Sequence, residues 1–183
     1  MQLLETIERY HPKNEQEAVD RLEMLRRLRS GEELLTRANP TAPFTASAWV
    51  TSYDHRQVLM AHHNLYDSWA WLGGHADGEE DLLAVAIREV REESGLQSLR
   101  VVQEAPISLE ILTVVGHEKR GQYISGHLHL NLTFLLEADS LAPIRSCPEE
   151  NSRVGWFSPG KAILASNEPW FRDRIYPKLN ACL

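Results

Sequence analysis

The stretch Gly74–Leu96, GHADGEEDLLAVAIREVREESGL, decides how the rest of the chain is read. It holds seven carboxylates, and three of them fall at helical spacing. With Glu89 set at zero and each residue advancing about 100°, Glu92 falls near 300° and Glu93 near 40°, roughly one shared flank. Leu83, Ala86, Ile87 and Val90 recur on another flank, which gives the helix a side to bury. Like charges three and four residues apart weaken a helix unless something neutralises them. A divalent cation is the simplest neutraliser, because hard cations take carboxylate oxygens.

Working outward, the fixed positions are Gly74, Glu80, Arg88, Glu89, Val90, Glu92, Glu93, Gly95 and Leu96. Their spacing resembles the Nudix box at every specified position: glycine, five residues, glutamate, seven residues, then Arg-Glu-apolar-any-Glu-Glu-any-Gly-apolar. A solvated acidic helix would not require both glycines and the Arg-Glu pair. The resemblance implies an α/β fold, an α/β/α sandwich with a mixed β-sheet, here preceded by an N-terminal helical extension. It implies a hydrolase that cleaves a pyrophosphate linkage in a nucleoside diphosphate joined to another group, or in a nucleoside triphosphate, with Mg²⁺ or Mn²⁺. Glu89, Glu93 and Glu92 are then the expected metal ligands, joined by the Gly74 carbonyl. Arg88 and Glu80 are expected to orient the box, although partners such as Arg88 and Glu92 pair on any helix.

The family draws its general base from a box glutamate or from an acid on a distant loop. Glu149 and Glu150, just before the strand ending in Trp156-Phe157, lie where such a loop acid is found, and Glu150 is the preferred candidate. His62, His63, His75, His127 and His129 are candidates to approach the site, and His75 lies inside the box loop. Neutral imidazole can bind a metal, and imidazolium can meet a phosphate; hydrogen-bonded core histidines are the plainer alternative. Substrate contacts are expected above all from His75, His127 and His129. Trp69, Trp71 and Tyr123 suit either base stacking or core packing.

Length and composition frame this reading. The 183 residues suit one Nudix-like unit over 41–183 after a helical extension over 1–40. A formal charge of −7 argues against a nucleic-acid partner and leaves a phosphorylated small molecule, a nucleotide by resemblance, reached through metal charge. No apolar run nears the roughly 20 residues of a membrane span. The first residues lack the pattern of a secretory signal, and two cysteines, Cys147 and Cys182, make no disulfide framework; both point to the cytoplasm. A monomer or a homodimer is expected.

Along the chain, Leu3, Leu4, Ile7 and Tyr10 form one helical stripe. A second helix starts at Asn14 with Glu17 three residues on, carries Leu22, Leu25 and Leu28, and breaks at Ser30-Gly31 before a further helical piece, Glu32–Arg37. Strands are expected at Thr45–Ser52, Gln57–His63, Trp69–Leu72, Leu99–Gln103, Ser108–Val115, within Tyr123–Glu137, and at Val154–Phe157. Gly73-Gly74 reads as a turn into the box helix and Gly116–Gly121 as a polar loop. The alternation His127-Leu128-His129-Leu130-Asn131 puts His127, His129 and Asn131 on one sheet face. Short and longer helices close the chain at Gly160–Ala165 and Glu168–Leu179.

Two other functions share these features. An isopentenyl-diphosphate-isomerase-like enzyme gains from Gly74-His75 and the His127/His129 pair, but that family uses a cysteine near the box and Cys147 lies some fifty residues beyond. A non-catalytic nucleotide-sensing module of this fold would usually have lost box acids, and all are present. Residues Ile111-Leu112-Thr113 show neither the proline of ADP-ribose enzymes nor the tyrosine of diadenosine polyphosphate enzymes, so the substrate stays open.

Overall fold

The computed structural model describes residues 2–119 and 121–183; Arg120, within the expected polar loop, lies outside the described residues. Helix α1 spans Gln2–Arg9 and α2 spans Glu15–Ser30. Asn14 caps α2 by accepting from the Glu17 N–H at 2.9 Å, while the Glu17 carboxylate accepts from the Lys13 N–H at 2.7 Å. Gly31 ends α2 at φ +77°, a left-handed position that glycine takes without steric cost.

Two expectations fail here. Residues Glu32–Arg37 are not helical, because after Gly31 the chain runs irregularly until the Phe44 N–H bonds the Leu34 carbonyl at 2.6 Å. Leu22 is 64% exposed; the stripe that α2 buries runs instead through Met24 and Leu25, with Leu28 partly covered.

Strands β1 (Phe44–Ser52), β2 (Val58–His63), β3 (Ser68–Ala70) and β4 (Leu72–His75) lead into α3 (Leu82–Ser94). Then come β5 (Arg100–Val101), β6 (Ser108–Val114), β7 (His117–Lys119), β8 (Gln122–Ile124), β9 (His127–Ala138) and β10 (Asn151–Phe157). Helix α4 (Pro159–Ala165), a π-helical turn (Phe171–Ile175) and α5 (Tyr176–Asn180) close the described chain. The sheet runs β10-β2-β1-β9-β5, with β3 on β2, β4 on β1 and β6 on β9. At its centre β1 and β9 are parallel, Phe44 facing Leu130 and Ser52 facing Ala138; the flanking pairs are antiparallel. The sheet is therefore mixed. β1 is buried at all nine positions, as a strand covered on both faces must be.

One face packs Ala46, Val50, Leu132 and Phe134 against Ile7, Met24, Val85 and Val90 of the first three helices. The other packs Trp49, Met60 and Leu135 against Ile175, Tyr176 and Leu179. Trp49 stacks on Tyr176 with ring centres 5.1 Å apart. These two layers make the expected α/β/α sandwich. The open edge of β6 is covered by α2, where Asp20 accepts from the Ile111 N–H at 2.9 Å, so its main-chain donors are not left as a template for another strand. Lys178 sits between two fully buried acids, Glu17 at 2.9 Å and Glu110 at 2.8 Å, and so ties α5 to α2 and β6.

The region read as a polar loop is a hairpin, with His117 opposite Ile124. Its strands are too short and too polar to show an alternating pattern. The last helix has a π-helical turn where the Tyr176 N–H reaches the Phe171 carbonyl. Pro177 follows and lacks an N–H, and its ring would crowd the carbonyl four residues back in a regular α-helix; the wider register relieves that.

Candidate active site

Asp81 starts α3, its carboxylate accepting from the N–H groups of Leu83 and Ala84 at 3.1 Å. Gly95 stops the helix at φ +75°. The buried stripe is Leu82, Val85, Ala86, Glu89, Val90 and Glu93. This corrects the sequence picture of acids on one flank and apolar residues on another: Glu89 and Glu93 lie within the buried stripe, facing β4.

The two glycines explain how. Gly73 and Gly74 are strand residues of β4, not a turn. A Cβ on Gly73 would lie 2.5 Å from the Ala46 carbonyl oxygen, and one on Gly74 would lie 2.5 Å from the Glu89 carboxyl. The strand is bare where the helix brings its acids in. The Gly73 N–H donates to Glu93 Oε1 at 2.9 Å.

Glu150 comes from the turn before β10. Asn151 anchors that turn, accepting from the Cys147 N–H at 3.1 Å and donating to the Glu93 main-chain carbonyl at 3.0 Å. As a result, carboxylate oxygens of Glu89, Glu93 and Glu150 lie within 4.8 Å of one another. Arg88 donates to the His75 carbonyl at 2.9 Å and to Glu89 Oε1 at 2.7 Å. Its Nε lies 3.9 Å from Glu92, whose side chain is largely exposed and outside the triplet. Glu80 is exposed on the turn before Asp81 and also stays outside it. Asn151 is a residue that the sequence reading missed. Its signal was an asparagine directly after two acids and before a strand, a setting that favours side-chain bonding to a turn.

Burial pushes the Glu93 carboxyl up to about 8, and the neighbouring Glu89 and Glu150 charges add to this against the Gly73 N–H. Glu89 is raised as well, by burial, with Arg88 offsetting part of it. Concentrated negative charge that the fold leaves poorly compensated, on oxygens with room between them, fits a hard divalent cation. The bare Gly74 position fits it too, since only a residue without a Cβ lets the Glu89 carboxyl lie this close to β4.

His75, His127 and His129 also converge, with ligand nitrogens within 4.8 Å. Gly74 faces α3, so its neighbour His75 projects to the other face of the sheet, against β9. Burial, then the charges of His75 and His127, hold His129 down to about 3, so its imidazole is neutral. His62 lies apart, against Ser152 and the edge of Trp69, and His63 packs on Tyr66. Trp69 contacts Phe157 and the Arg153 guanidinium, Trp71 packs edge-on against Phe171, and Tyr123 is exposed on the hairpin. Arg37 makes a two-point bond to Asp77 in the box loop, at 2.7 and 3.0 Å.

The NUDIX domain model matches residues 42–179. The chain belongs to the Nudix family, whose hydrolases generally use divalent metals. Among solved structures, a C. elegans Ap4A hydrolase in a binary complex is 19% identical, with a TM-score of 0.56 over 76% of this chain and 96% of that one. The E. coli dihydroneopterin triphosphate pyrophosphohydrolase is 15% identical, with a TM-score of 0.57 over 82% of this chain and 100% of that one. A NUDIX family hydrolase from Clostridium perfringens is 19% identical, at 0.53 over 76% and 97%. At these identities the likeness is one of fold. No curated protein matches the chain in sequence. Among the described residues, no helix is long and apolar enough to cross a membrane.

Proposed function

We propose that this protein hydrolyses a pyrophosphate linkage in a nucleoside diphosphate joined to a second group, or in a nucleoside triphosphate, using Mg²⁺ or Mn²⁺. The observation that carries the reading is the convergence of Glu89, Glu93 and Glu150 beside the bare strand at Gly74. These acids and the Gly74 carbonyl would hold the cation, and Glu92 at the exposed rim would contribute through water. When bound, the metal offsets phosphate charge and lowers the pKa of a coordinated water.

The chain's own groups divide the remaining work. Glu89 and Glu93 are buried and fixed by Arg88 and the Gly73 N–H, so they serve to bind and position. Glu150 is exposed on a turn and is the member that solvent and substrate can reach, which suits the general base. Arg88 locks Glu89 to β4, and Glu80, exposed on the turn before Asp81, would help orient the box. Two free thiols agree with a reducing cytoplasm. Of the fold relatives, the Ap4A hydrolase acts within this substrate class, and the dihydroneopterin triphosphate pyrophosphohydrolase acts on a pterin triphosphate, which has the phosphate linkage without the nucleoside.

The test is a hydrolysis screen over nucleoside triphosphates, nucleotide sugars and dinucleotides, with and without Mg²⁺ or Mn²⁺. Metal-dependent release of phosphate, pyrophosphate or a mononucleotide is expected from one class. Ligand binding without metal or turnover would overturn the reading in favour of a sensing module.

A further inference from the structure

We propose that His75, His127 and His129 form a second metal site, suited to a borderline divalent ion such as Zn²⁺ and separate from the carboxylate cluster. His127 Nε2 and His129 Nε2 lie 3.0 Å apart, and the His75 ring packs edge-on against His129 with centres 4.6 Å apart. The other nitrogen of His127 fixes its tautomer. Nδ1 lies 2.9 Å from the Ser125 carbonyl, which can only accept, so Nδ1 carries the proton. In the neutral ring the Nε2 lone pair accepts from His129 Nε2–H in the free protein, a proton that a bound ion would displace. A histidine whose second nitrogen donates to a main-chain carbonyl is the usual arrangement in metal ligation.

The donor chemistry separates the two sites. Imidazole suits zinc, whereas carboxylate and carbonyl oxygens suit magnesium and manganese. The pleat of β4 sorts them, with Gly74 toward α3 and Glu89 and His75 toward β9. Arg88 touches both, through the His75 carbonyl and the Glu89 carboxylate. Three protein nitrogens leave the fourth position of a tetrahedral ion open to water or to an oxygen of a bound phosphate. The nearby Arg37 charge is matched by Asp77, so the surroundings do not oppose a cation as they would beside an unpaired guanidinium.

The test is a Co²⁺ titration of the metal-free, full-length protein in excess Mg²⁺, which occupies the carboxylates. One equivalent is expected to give the intense visible absorption of a four- or five-coordinate, nitrogen-bound ion. Glu89→Gln and Glu93→Gln should keep that signal, so its survival is independent of the hydrolysis reading. His127→Asn and His129→Asn should each weaken Co²⁺ binding about a hundred-fold or more. Melting temperatures of both variants separate loss of the site from loss of the fold, and half-buried His127 is the safer substitution. In the wild type, the imidazole ¹⁵N shift of His129 should move on adding one equivalent of Zn²⁺. A weak octahedral spectrum, a signal lost in Glu93→Gln, or unchanged affinity in folded His127→Asn would each overturn the proposal.

Discussion

Glu17 and Glu110, and across the molecule Glu89 and Glu93, are all buried acids, yet they are treated differently. The Lys178 ammonium meets both members of the first pair at 2.9 and 2.8 Å. Burial would raise the Glu17 carboxyl, but the Lys13 N–H and Lys178 more than reverse that and hold it below its ordinary value. In the second group Arg88 meets Glu89 alone, Glu150 adds a third negative charge, and Glu93 is pushed up to about 8. A buried charge is tolerable once paired and costly otherwise. The first group carries its own cation within the chain; the second has, among the described residues, none that its members share, as the proposed metal site requires. That contrast marks out the candidate site more sharply than charge or burial alone.

Substitutions break the comparison in opposite directions. Glu93→Gln should lower metal-dependent hydrolysis about a hundred-fold or more and abolish the rise in melting temperature on adding Mn²⁺, while the apo protein melts no lower than wild type. Parallel kinetics and thermal melts would show it. Lys178→Met should do the reverse, destabilising the fold by about 3 kcal/mol because two buried carboxylates lose their partner. Urea unfolding measures this, with turnover per folded molecule unchanged.

The pH dependence sharpens the same contrast. The folded-state pKa of Glu17 is below its ordinary value of 4.5, so its contribution is present above that value and lost as pH falls through the folded pKa. Urea midpoints measured at descending pH should therefore drop more steeply in wild type than in Glu17→Gln. The smallest effect is at the start of α2: Asn14→Ala removes the bond to the Glu17 N–H and should cost about 1 kcal/mol without altering hydrolysis, as melts and kinetics would show.

Much of this was legible in the sequence, for reasons that also mark where legibility ended. β1, β9 and the box helix stood out because their apolar periods are long, and the acids of α3 because their spacing is regular. Glu150 was accessible through family resemblance, and the geometry does bring it beside Glu89 and Glu93. The burial of those two glutamates was not readable, since it depends on β4 continuing as a strand, with bare Gly74 facing the helix and the Gly73 N–H donating to Glu93, rather than turning there. The hairpin after β6 is polar and short, and so left no pattern. Residues Glu32–Arg37 have helical composition, but Arg37 is drawn to Asp77, forty residues away in sequence, a tie that no local signal records.

The parallel contact between β1 and β9 has a consequence for how the protein is made. Phe44 must wait for Leu130, with the box helix, two glycines and the hairpin all translated in between. Closing so large a loop comes before any reward from the central pairing, which favours slow assembly. On the ribosome, the strand that supports the acids emerges well before the neighbour that completes its sheet. Catalytic competence is thus expected to arrive late in biosynthesis, and β1 is the segment whose exposure a chaperone would shorten.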